Sequence, residues 1–379
     1  MDIVSILQTV VKHDASDLFI TSGRPPTLKV DGKLATLTQT PLTDHEARDL
    51  VVGTMTDEQK KTFERDKECN YAIATSGAGR FRVSAMYQRN KVAMVLRRIK
   101  DEIPTLEELN VPQIIKELSM TKRGLVIFVG ATGSGKSTTL AAMIGYRNQN
   151  STGHILTIED PIEFDHKHGG CVVTQREVGI DTDSYEVALK NSLRQAPDVI
   201  MIGEIRSRDT MDYGIVFAET GHLCLSTLHA NNANQTMDRI VSFFPEERHK
   251  QLFLDLSLNL KAVVAQRLIP KKDGTGRVAA VEVLINSPLI GDLIEKGKVA
   301  EIKDVMKRSR ELGMQTFDQA VYDLYKAGDI SYEEALRNAD SVNEVRLMIK
   351  LGAETGELPQ GAGIEGLSLK ADDEVVGRM

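Results

Sequence analysis

The spacing of apolar residues changes along the chain. Near the start, Ile3, Leu7, Val10 and Val11 recur at helical spacing. The elements predicted after this helix are strands over 17–20 and 27–30, a helix over 44–55, and strands over 71–74, 80–87 and 93–99. This pattern predicts a small mixed α+β domain over residues 1–100.

From Arg123 onward, the apolar residues form short continuous runs separated by helical stretches. Such runs are typical of parallel strands that are covered on both faces. The predicted strands lie at 125–129, 155–158, 199–202, 223–228 and 278–285, and a helical region follows from 289 to about 350. The predicted fold is therefore α/β, with a parallel-sheet domain over residues 113–350.

Two further segments differ in composition from these domains. Residues 101–112 are predicted to form a linker, with a short acidic helix between Pro104 and Pro112. Residues 351–379 are rich in glycine and acidic side chains and are not expected to fold by themselves.

Composition narrows the possible classes of protein. The 379 residues carry a net charge of -7, which gives no overall attraction to nucleic acid. The longest apolar run is far shorter than the ~20 residues of a membrane-spanning helix, and the first residues lack a signal-peptide pattern, so we expect a cytoplasmic protein. Cys69, Cys171 and Cys224 are too far apart for a zinc motif and are expected to be buried thiols.

The segment after the strand at 125–129 matches the phosphate-binding P-loop pattern, G-x-x-x-x-G-K-[ST]. Its residues are Gly130, Ala131, Thr132, Gly133, Ser134, Gly135, Lys136 and Ser137, and Thr138 continues into a predicted helix. The glycines let backbone N–H groups face the phosphates, and the helix presents its positive end. Lys136 would reach the β and γ oxygens, and the hydroxyl of Ser137 would face Mg²⁺. The sequence therefore predicts nucleoside triphosphate binding.

Acidic residues follow two of the predicted strands, where ligands collect in an open parallel sheet. Glu159 and Glu163 lie after the strand at 155–158, near the expected γ-phosphate. Glu204 ends the next strand at the position of a Walker B acid, and its length favours holding Mg²⁺ through water. Each cluster could instead be an ordinary solvated turn.

Histidines and arginines supply further candidates. His222 and His229 flank the strand at 223–228, and His229 lies where a side chain could sense the γ-phosphate, although single histidines are more often structural. Arg80 and Arg82 share one face of a strand, and Arg97 follows another. They could form a solvated basic face, or they could reach triphosphate on a neighbouring subunit.

Four motifs together resemble those of the secretion-superfamily ATPases. GATGSGKST, ILTIEDPIEF, RQAPDVIMIGEIR and TGHLCLSTLH are similar to the Walker A, Asp box, Walker B and His box of the PilT/PilU family of type IV pilus retraction ATPases. The opening SDLFITSGRPPTLKVDGKL resembles the PAS-like domain of the same family. The resemblance covers nearly the whole chain.

The resemblance implies a RecA-like P-loop ATPase core, a PAS-like N-terminal domain, a helical C-terminal region and a ring of six copies. It places Lys136 and Ser137 in the Walker A motif, Glu159 and Glu163 in the Asp box, Glu204 in the Walker B motif, His222 and His229 in the His box, and Arg80, Arg82 and Arg97 among arginines that cross a subunit interface. ATP and Mg²⁺ are the implied ligands, with Ser137 and Glu204 on the metal. Glu163 is the expected general base, and Glu159 is the alternative.

Two departures bear on the branch of the family. Three scattered cysteines cannot build the four-cysteine zinc element of assembly-type relatives, which disfavours the pilus-extending branch. Residues 287–294 read SPLIGDLI where PilT-type motors typically carry AIRNLI, and this loss, together with the acidic tail, favours the accessory PilU-type branch.

The implied partners are further copies of the chain, a PilT-type ATPase and an inner-membrane platform protein. No nucleic acid is expected. The location implied is the cytoplasmic face of the inner membrane, reached only through these partners. The alternatives are a main PilT-type motor, a nucleotide-binding adaptor or a DNA translocase.

Overall fold

The computed structural model describes residues 2–30, 32–99 and 102–354. Strands β1 to β6 form an antiparallel sheet in the order β3-β2-β1-β6-β5-β4, here called the N-terminal sheet. Its strands and the helices beside it are α1 (Ile3–Lys12), β1 (Asp17–Thr21), β2 (Thr27–Val30), β3 (Lys33–Thr36), α2 (Asp44–Val52), α3 (Asp57–Asp66), β4 (Glu68–Thr75), β5 (Gly79–Gln88) and β6 (Lys91–Ile99). Phe63, Tyr71 and Phe81 are buried in the core of this sheet.

The predicted helix over 44–55 is wrong at its end, because the helix there stops at Val52 and a second helix begins at Asp57. Thr43 and Thr56 each form a capping box with the residue three positions later, so each begins a separate helix. Helix α2 ends at Val52, and α3 was not predicted. Strand β3 was also missed, and its residues are all exposed, which removes the usual apolar alternation.

Strands β7 to β13 form a second sheet, here called the central sheet, in the order β13-β12-β7-β11-β10-β8-β9. Its elements are α4 (Ile114–Ser119), β7 (Gly124–Val129), α5 (Lys136–Asn150), β8 (Gly153–Glu159), β9 (Cys171–Glu177), α6 (Tyr185–Ser192), β10 (Val199–Ile202), α7 (Arg208–Glu219), β11 (Leu223–Leu228), α8 (Ala233–Val241), α9 (His249–Asn259), β12 (Leu260–Pro270) and β13 (Arg277–Ile285). Alternate residues of β7 enter two separate hydrophobic clusters, with Ile127 in one and Phe128 in the other. The sheet is therefore covered on both faces, and the predicted α/β fold class is confirmed.

The edge of the central sheet differs from the prediction. Strands β9 and β12 were missed, and β13 runs antiparallel to β12, whereas a wholly parallel sheet was expected. A tight turn joins β12 to β13. In this turn the carboxylate of Asp273 accepts the N–H of Thr275, and Gly274 and Gly276 have positive φ.

The acidic helix expected between Pro104 and Pro112 is absent from the described residues 102–112, which form a single turn. Thr105 and Glu108 exchange hydrogen bonds between side chain and backbone, which satisfies this turn locally. Asn110 then adopts positive φ, a conformation that ends helical structure.

Helices follow the central sheet, as the sequence predicts. They are α10 (Pro288–Glu295), α11 (Val299–Arg308), α12 (Phe317–Ala327), α13 (Tyr332–Asn338) and α14 (Val342–Glu354), and short 3-10 helices occupy Leu193–Gln195, Glu246–Arg248 and Arg310–Leu312. The buried carboxylate of Glu282 on β13 accepts the N–H groups of Ala233 and Phe317, which fixes α8 and α12 to the same strand. Helix α14 extends past residue 350, where the tail was predicted to begin, and the remainder of that tail lies outside the described residues.

Cys69, Cys171 and Cys224 are buried and free, as expected. In the part of the chain that the structure describes, the helices are too short or too polar to cross a bilayer.

Candidate nucleotide-binding site

The P-loop connects the end of β7 to the start of α5, in the middle of the central sheet. Gly130 has a φ of 147°, and a Cβ there would lie 2.4 Å from the carbonyl oxygen of Gln266. Gly135 has a φ of 89°, and a Cβ there would lie 2.7 Å from the Gln266 side-chain nitrogen. The positive φ favours glycine at both positions, and at Gly130 the backbone carbonyl also leaves no space for a side chain.

Gln266 is a site residue that the sequence analysis missed. It lies on β12 behind the P-loop and is buried, and its Oε1 accepts a hydrogen bond of 2.9 Å from the hydroxyl of Thr139. This contact connects β12 to the first turn of α5. No motif marks Gln266, and it could have been found only by recognising β12 as the strand beside β7.

Lys136 is buried inside the P-loop. Its ammonium group donates hydrogen bonds of 2.8 and 3.0 Å to the carbonyls of Gly130 and Ala131. Burial lowers the pKa of Lys136, and the nearby carboxylates of Glu204 and Glu163 act in the opposite direction. The lysine is therefore a desolvated cation held at the mouth of the loop.

The hydroxyl of Ser134, also in the P-loop, is buried and has no hydrogen-bond partner among the described residues. Such an orphaned buried group is costly unless a ligand satisfies it. The positive-φ glycines, the desolvated lysine and this hydroxyl all fit a bound phosphate chain.

The two Asp-box glutamates occupy different environments. Glu163 is exposed, and its Oε1 accepts a hydrogen bond of 3.0 Å from the Ser137 hydroxyl. Glu159 is buried at the end of β8 and accepts hydrogen bonds from Thr157 and Gln175. Burial raises the pKa of Glu159 to about 7, despite the opposing effect of these hydrogen bonds. The carboxylate of Glu163 is thus solvated beside the P-loop, whereas that of Glu159 is buried at the end of its strand.

Glu204 lies just after β10 and has partners on both oxygens. His229, just after β11, contacts Glu204 Oε1 at 3.0 Å, and Arg206 contacts Oε2 at 2.7 Å. Arg206 also lies 3.4 Å from a carboxylate oxygen of Asp160. Because β8, β10 and β11 are parallel neighbours, their carboxyl ends bring these groups to one edge of the sheet.

These groups line one cavity. Its walls include Thr132, Gly133, Lys136, Ser137, Glu159, Glu163, Phe164, His166, Tyr185, Glu204, Arg206 and His229. The hydroxyl of Ser137 and the carboxylates fit a Mg²⁺ ion held together with phosphate oxygens. Among the described residues, no three or more His, Cys, Asp or Glu side chains are grouped so that they could hold a metal ion by themselves.

A second cavity joins the P-loop to the N-terminal sheet. Arg82, Arg97 and Arg98 line it from β5 and β6, opposite Gly133, Lys136 and Ser137. Arg82 and Arg97 are direct partners in the strand register, and the buried carboxylate of Asp17 lies 2.9 Å from Arg97 Nε. In this single chain, the arginines and the P-loop line the same cavity. That the arginines also reach a neighbouring subunit stays a prediction.

Two expected site residues lie elsewhere. Arg80 is not part of the cavity wall and acts electrostatically on Glu177 instead. His222 lies at the start of β11, beside Gly124, at the end of the sheet opposite the P-loop. Six strand residues separate it from His229, which corresponds to about 20 Å. Its Nδ1 contacts Thr220 and the carbonyl of Phe217, so the structure gives it a local role beside helix α7.

The central sheet and this site define a P-loop protein built to bind a nucleoside triphosphate. Residues 1–337 match the family model described as type II/IV secretion system protein. The chain therefore belongs to the type II/IV secretion system protein family, as the four motifs indicate.

Several named members of this family are similar to the chain over most of its length. The type IV pilus ATPase PilU of Pseudomonas aeruginosa is 62% identical over 379 residues, covering 100% of this chain and 99% of that protein. The type IV pilus retraction ATPase PilT of the same organism is 43% identical over 339 residues, covering 89% of this chain and 98% of that protein. The crystal structure of the pilus retraction motor PilT with bound ADP superimposes with a TM-score of 0.85 at 40% identity, covering 92% of this chain and 99% of that one.

Proposed function

We propose that this chain is a Mg²⁺-dependent ATPase that powers type IV pilus retraction as an accessory motor. The observation that carries the proposal is a P-loop that lines two cavities, one with three carboxylates and one with the arginines of β5 and β6, here called the arginine strands. The chain also has full-length similarity to PilU. The similarity to a PilT structure that holds ADP supports the choice of nucleotide.

The reaction is the in-line attack of water on the γ-phosphorus. The bond from phosphorus to the β–γ bridging oxygen breaks, and ADP and phosphate leave. Bound Mg²⁺ supplies charge neutralisation on the phosphate oxygens. Lys136, Arg82 and Arg97 bind and orient the phosphates, and Glu163 accepts the proton of the attacking water.

Glu163 suits the role of general base, because it is solvated and lies beside the P-loop hydroxyl of Ser137. Glu159 is the alternative base, since a pKa of about 7 makes its ionised form a stronger proton acceptor than an ordinary carboxylate near neutral pH. Glu204 is proposed to act on the metal through water, and the contacts with His229 and Arg206 orient it.

The proposed assembly is a ring of six copies that works with a PilT-type ATPase. It would act at the cytoplasmic face of the inner membrane through a pilus platform protein. These elements of the proposal rest on the resemblance to the PilT/PilU family.

The decisive experiment is phosphate release by the purified chain with ATP and Mg²⁺, in parallel with its mass in solution. We expect hydrolysis that is lost in Lys136→Ala, a six-copy species with an ATP analogue, and no stimulation by single- or double-stranded DNA. A chain that stays monomeric and does not bind ATP would refute the proposal. Normal pilus retraction under load by the Lys136→Ala variant would favour an adaptor instead.

A further inference from the structure

Glu177, at the end of β9, is a buried carboxylate outside the motifs described above. Its side chain is 0% exposed, and it lies opposite Glu159 in the strand register. Burial raises the pKa of Glu177, and the neighbouring N–H of Ile162 together with Arg82 and Arg80 oppose this effect. A fully buried carboxylate is costly unless its oxygens have partners, so its two oxygens need separate accounts.

One oxygen of Glu177 fixes the backbone of the loop that carries Glu163. Glu177 Oε2 accepts a hydrogen bond of 3.2 Å from the N–H of Ile162, the residue directly before Glu163. The backbone of Glu177 is itself held, because its N–H donates to Asp181 and its carbonyl accepts from the turn that follows β9. Glu177 is therefore a rigid support for the loop that carries the proposed base.

The other oxygen faces the N-terminal sheet. Glu177 Oε1 has no hydrogen-bond partner among the described residues, and Arg82 Nε lies 3.8 Å away. A movement of about 1 Å or less would bring this pair within hydrogen-bond distance. Arg82 also lines the cavity that contains Gly133, Lys136 and Glu163. The same guanidinium group therefore faces both the phosphate site and the unpaired oxygen.

We propose that Glu177 is a positioning residue that couples Arg82 to the backbone beneath Glu163. When strand β5, which carries Arg82, closes over bound nucleotide, Arg82 Nε donates a hydrogen bond to Glu177 Oε1. Glu177 then holds the Glu163 loop in one position while Arg82 contacts the phosphates. Hydrolysis thereby depends on closure of the N-terminal sheet over the site. This inference rests on the proposed ATPase function.

The first test is a double-mutant cycle on ATP turnover with Glu177→Gln and Arg82→Gln. Glutamine keeps the shape and the acceptor for the N–H of Ile162 but removes the charge that attracts Arg82. We expect Glu177→Gln to lower kcat about tenfold and to change the Kd for an ATP analogue less than about threefold. In the Arg82→Gln background, the same change should alter kcat less than about twofold.

Glu282→Gln is the matched control, because Glu282 is also a buried strand carboxylate that accepts hydrogen bonds from backbone N–H groups, in its case those of Ala233 and Phe317. It should leave kcat within about twofold of wild type. The coupling would be overturned if Glu177→Gln had the kcat of wild type. It would also be overturned if Glu177→Gln lowered kcat by the same factor with and without Arg82→Gln.

A second measurement does not require the Glu177 variant to fold or the protein to hydrolyse ATP. Amide hydrogen exchange at residues 162–164 should slow when an ATP analogue binds to wild type, and this slowing should be lost in Arg82→Gln at saturating analogue. Equal protection in both proteins would overturn the inference. Wild type that binds the analogue but releases no phosphate would instead refute the proposed function, and the exchange result would still decide the coupling.

Discussion

The hydroxyl of Ser137 donates a hydrogen bond of 3.0 Å to Glu163, which joins the P-loop to a loop 26 residues further along the chain. The pair places a solvated carboxylate at the point where the P-loop meets α5. It also makes the role of Glu163 testable, because glutamine can still accept the hydrogen bond but cannot take a proton from water.

We expect Glu163→Gln to lower kcat by about 100-fold or more, which is within the range for removal of a general base. The affinity for an ATP analogue should stay within about threefold of wild type, because the P-loop is untouched. Phosphate release and equilibrium binding measure the two quantities. The control is Glu58→Gln on α3, which should match wild type. If Glu163→Gln retains normal turnover and Glu159→Gln does not, the base is Glu159.

The buried Glu159 predicts a pH-dependent stability. Its pKa of about 7 in the folded chain exceeds its usual value of 4.5, so the folded state binds more protons than the unfolded state between these pH values. Stability therefore falls as pH rises through this window, and the full cost, about 3 kcal/mol, is present only above pH 7.

Glu159→Gln removes this cost. Without nucleotide, the variant should melt several degrees above wild type at pH 8, whereas the two should melt together at pH 4.5 or below. Differential scanning calorimetry at the two pH values measures the difference. A melting difference that is the same at both pH values would contradict the assignment.

The contact between Asp17 and Arg97 predicts an effect on nucleotide affinity. Asp17 is buried and holds an exposed arginine that lines the phosphate cavity. Asp17→Asn weakens this contact, so we expect the Kd for ATP to rise about fivefold, equivalent to about 1 kcal/mol. Binding titrations measure the change. Asp66→Asn is the control, because Asp66 pairs with Arg65 on the surface of α3 and should bind ATP as wild type does.

The close packing around Gly130 predicts that a side chain at this position would disturb the P-loop. The Cβ of Gly130→Ala would meet a backbone carbonyl at 2.4 Å, so the P-loop or β12 must shift. We expect a lower melting temperature and loss of ATP binding. Gly145→Ala in α5 provides the contrast, since its Cβ meets no atom within 4 Å. That variant should be about 0.5–1 kcal/mol more stable and should bind ATP normally, because alanine favours helix.

The sequence predicted the central strands well where apolar runs are unbroken and a motif follows. Strand β7 and the P-loop are the clearest case, because each feature strengthens the other. Strand β12 was missed because Lys261, Gln266 and Arg267 interrupt its apolar pattern. Its pairing with β7 is a tertiary contact that local sequence does not reveal.

The site was predicted less completely. Glu204 and His229 were placed correctly at one sheet edge, because parallel strands end together. The role of Gln266 was not foreseen, since it depends on an unrecognised strand. The resemblance places both histidines in the His box, although the strand between them separates them. His222 therefore lies far from the P-loop edge.

The position of the arginine strands has a consequence for assemblies of mixed composition. Arg82 and Arg97 face the P-loop of their own chain. Consider a ring that combined this chain with a related ATPase. In each of these cavities, the arginines and the P-loop would still come from the same subunit. An inactivating P-loop substitution in one type of subunit would then silence only its own cavities, and the residual turnover would report the share of intact subunits.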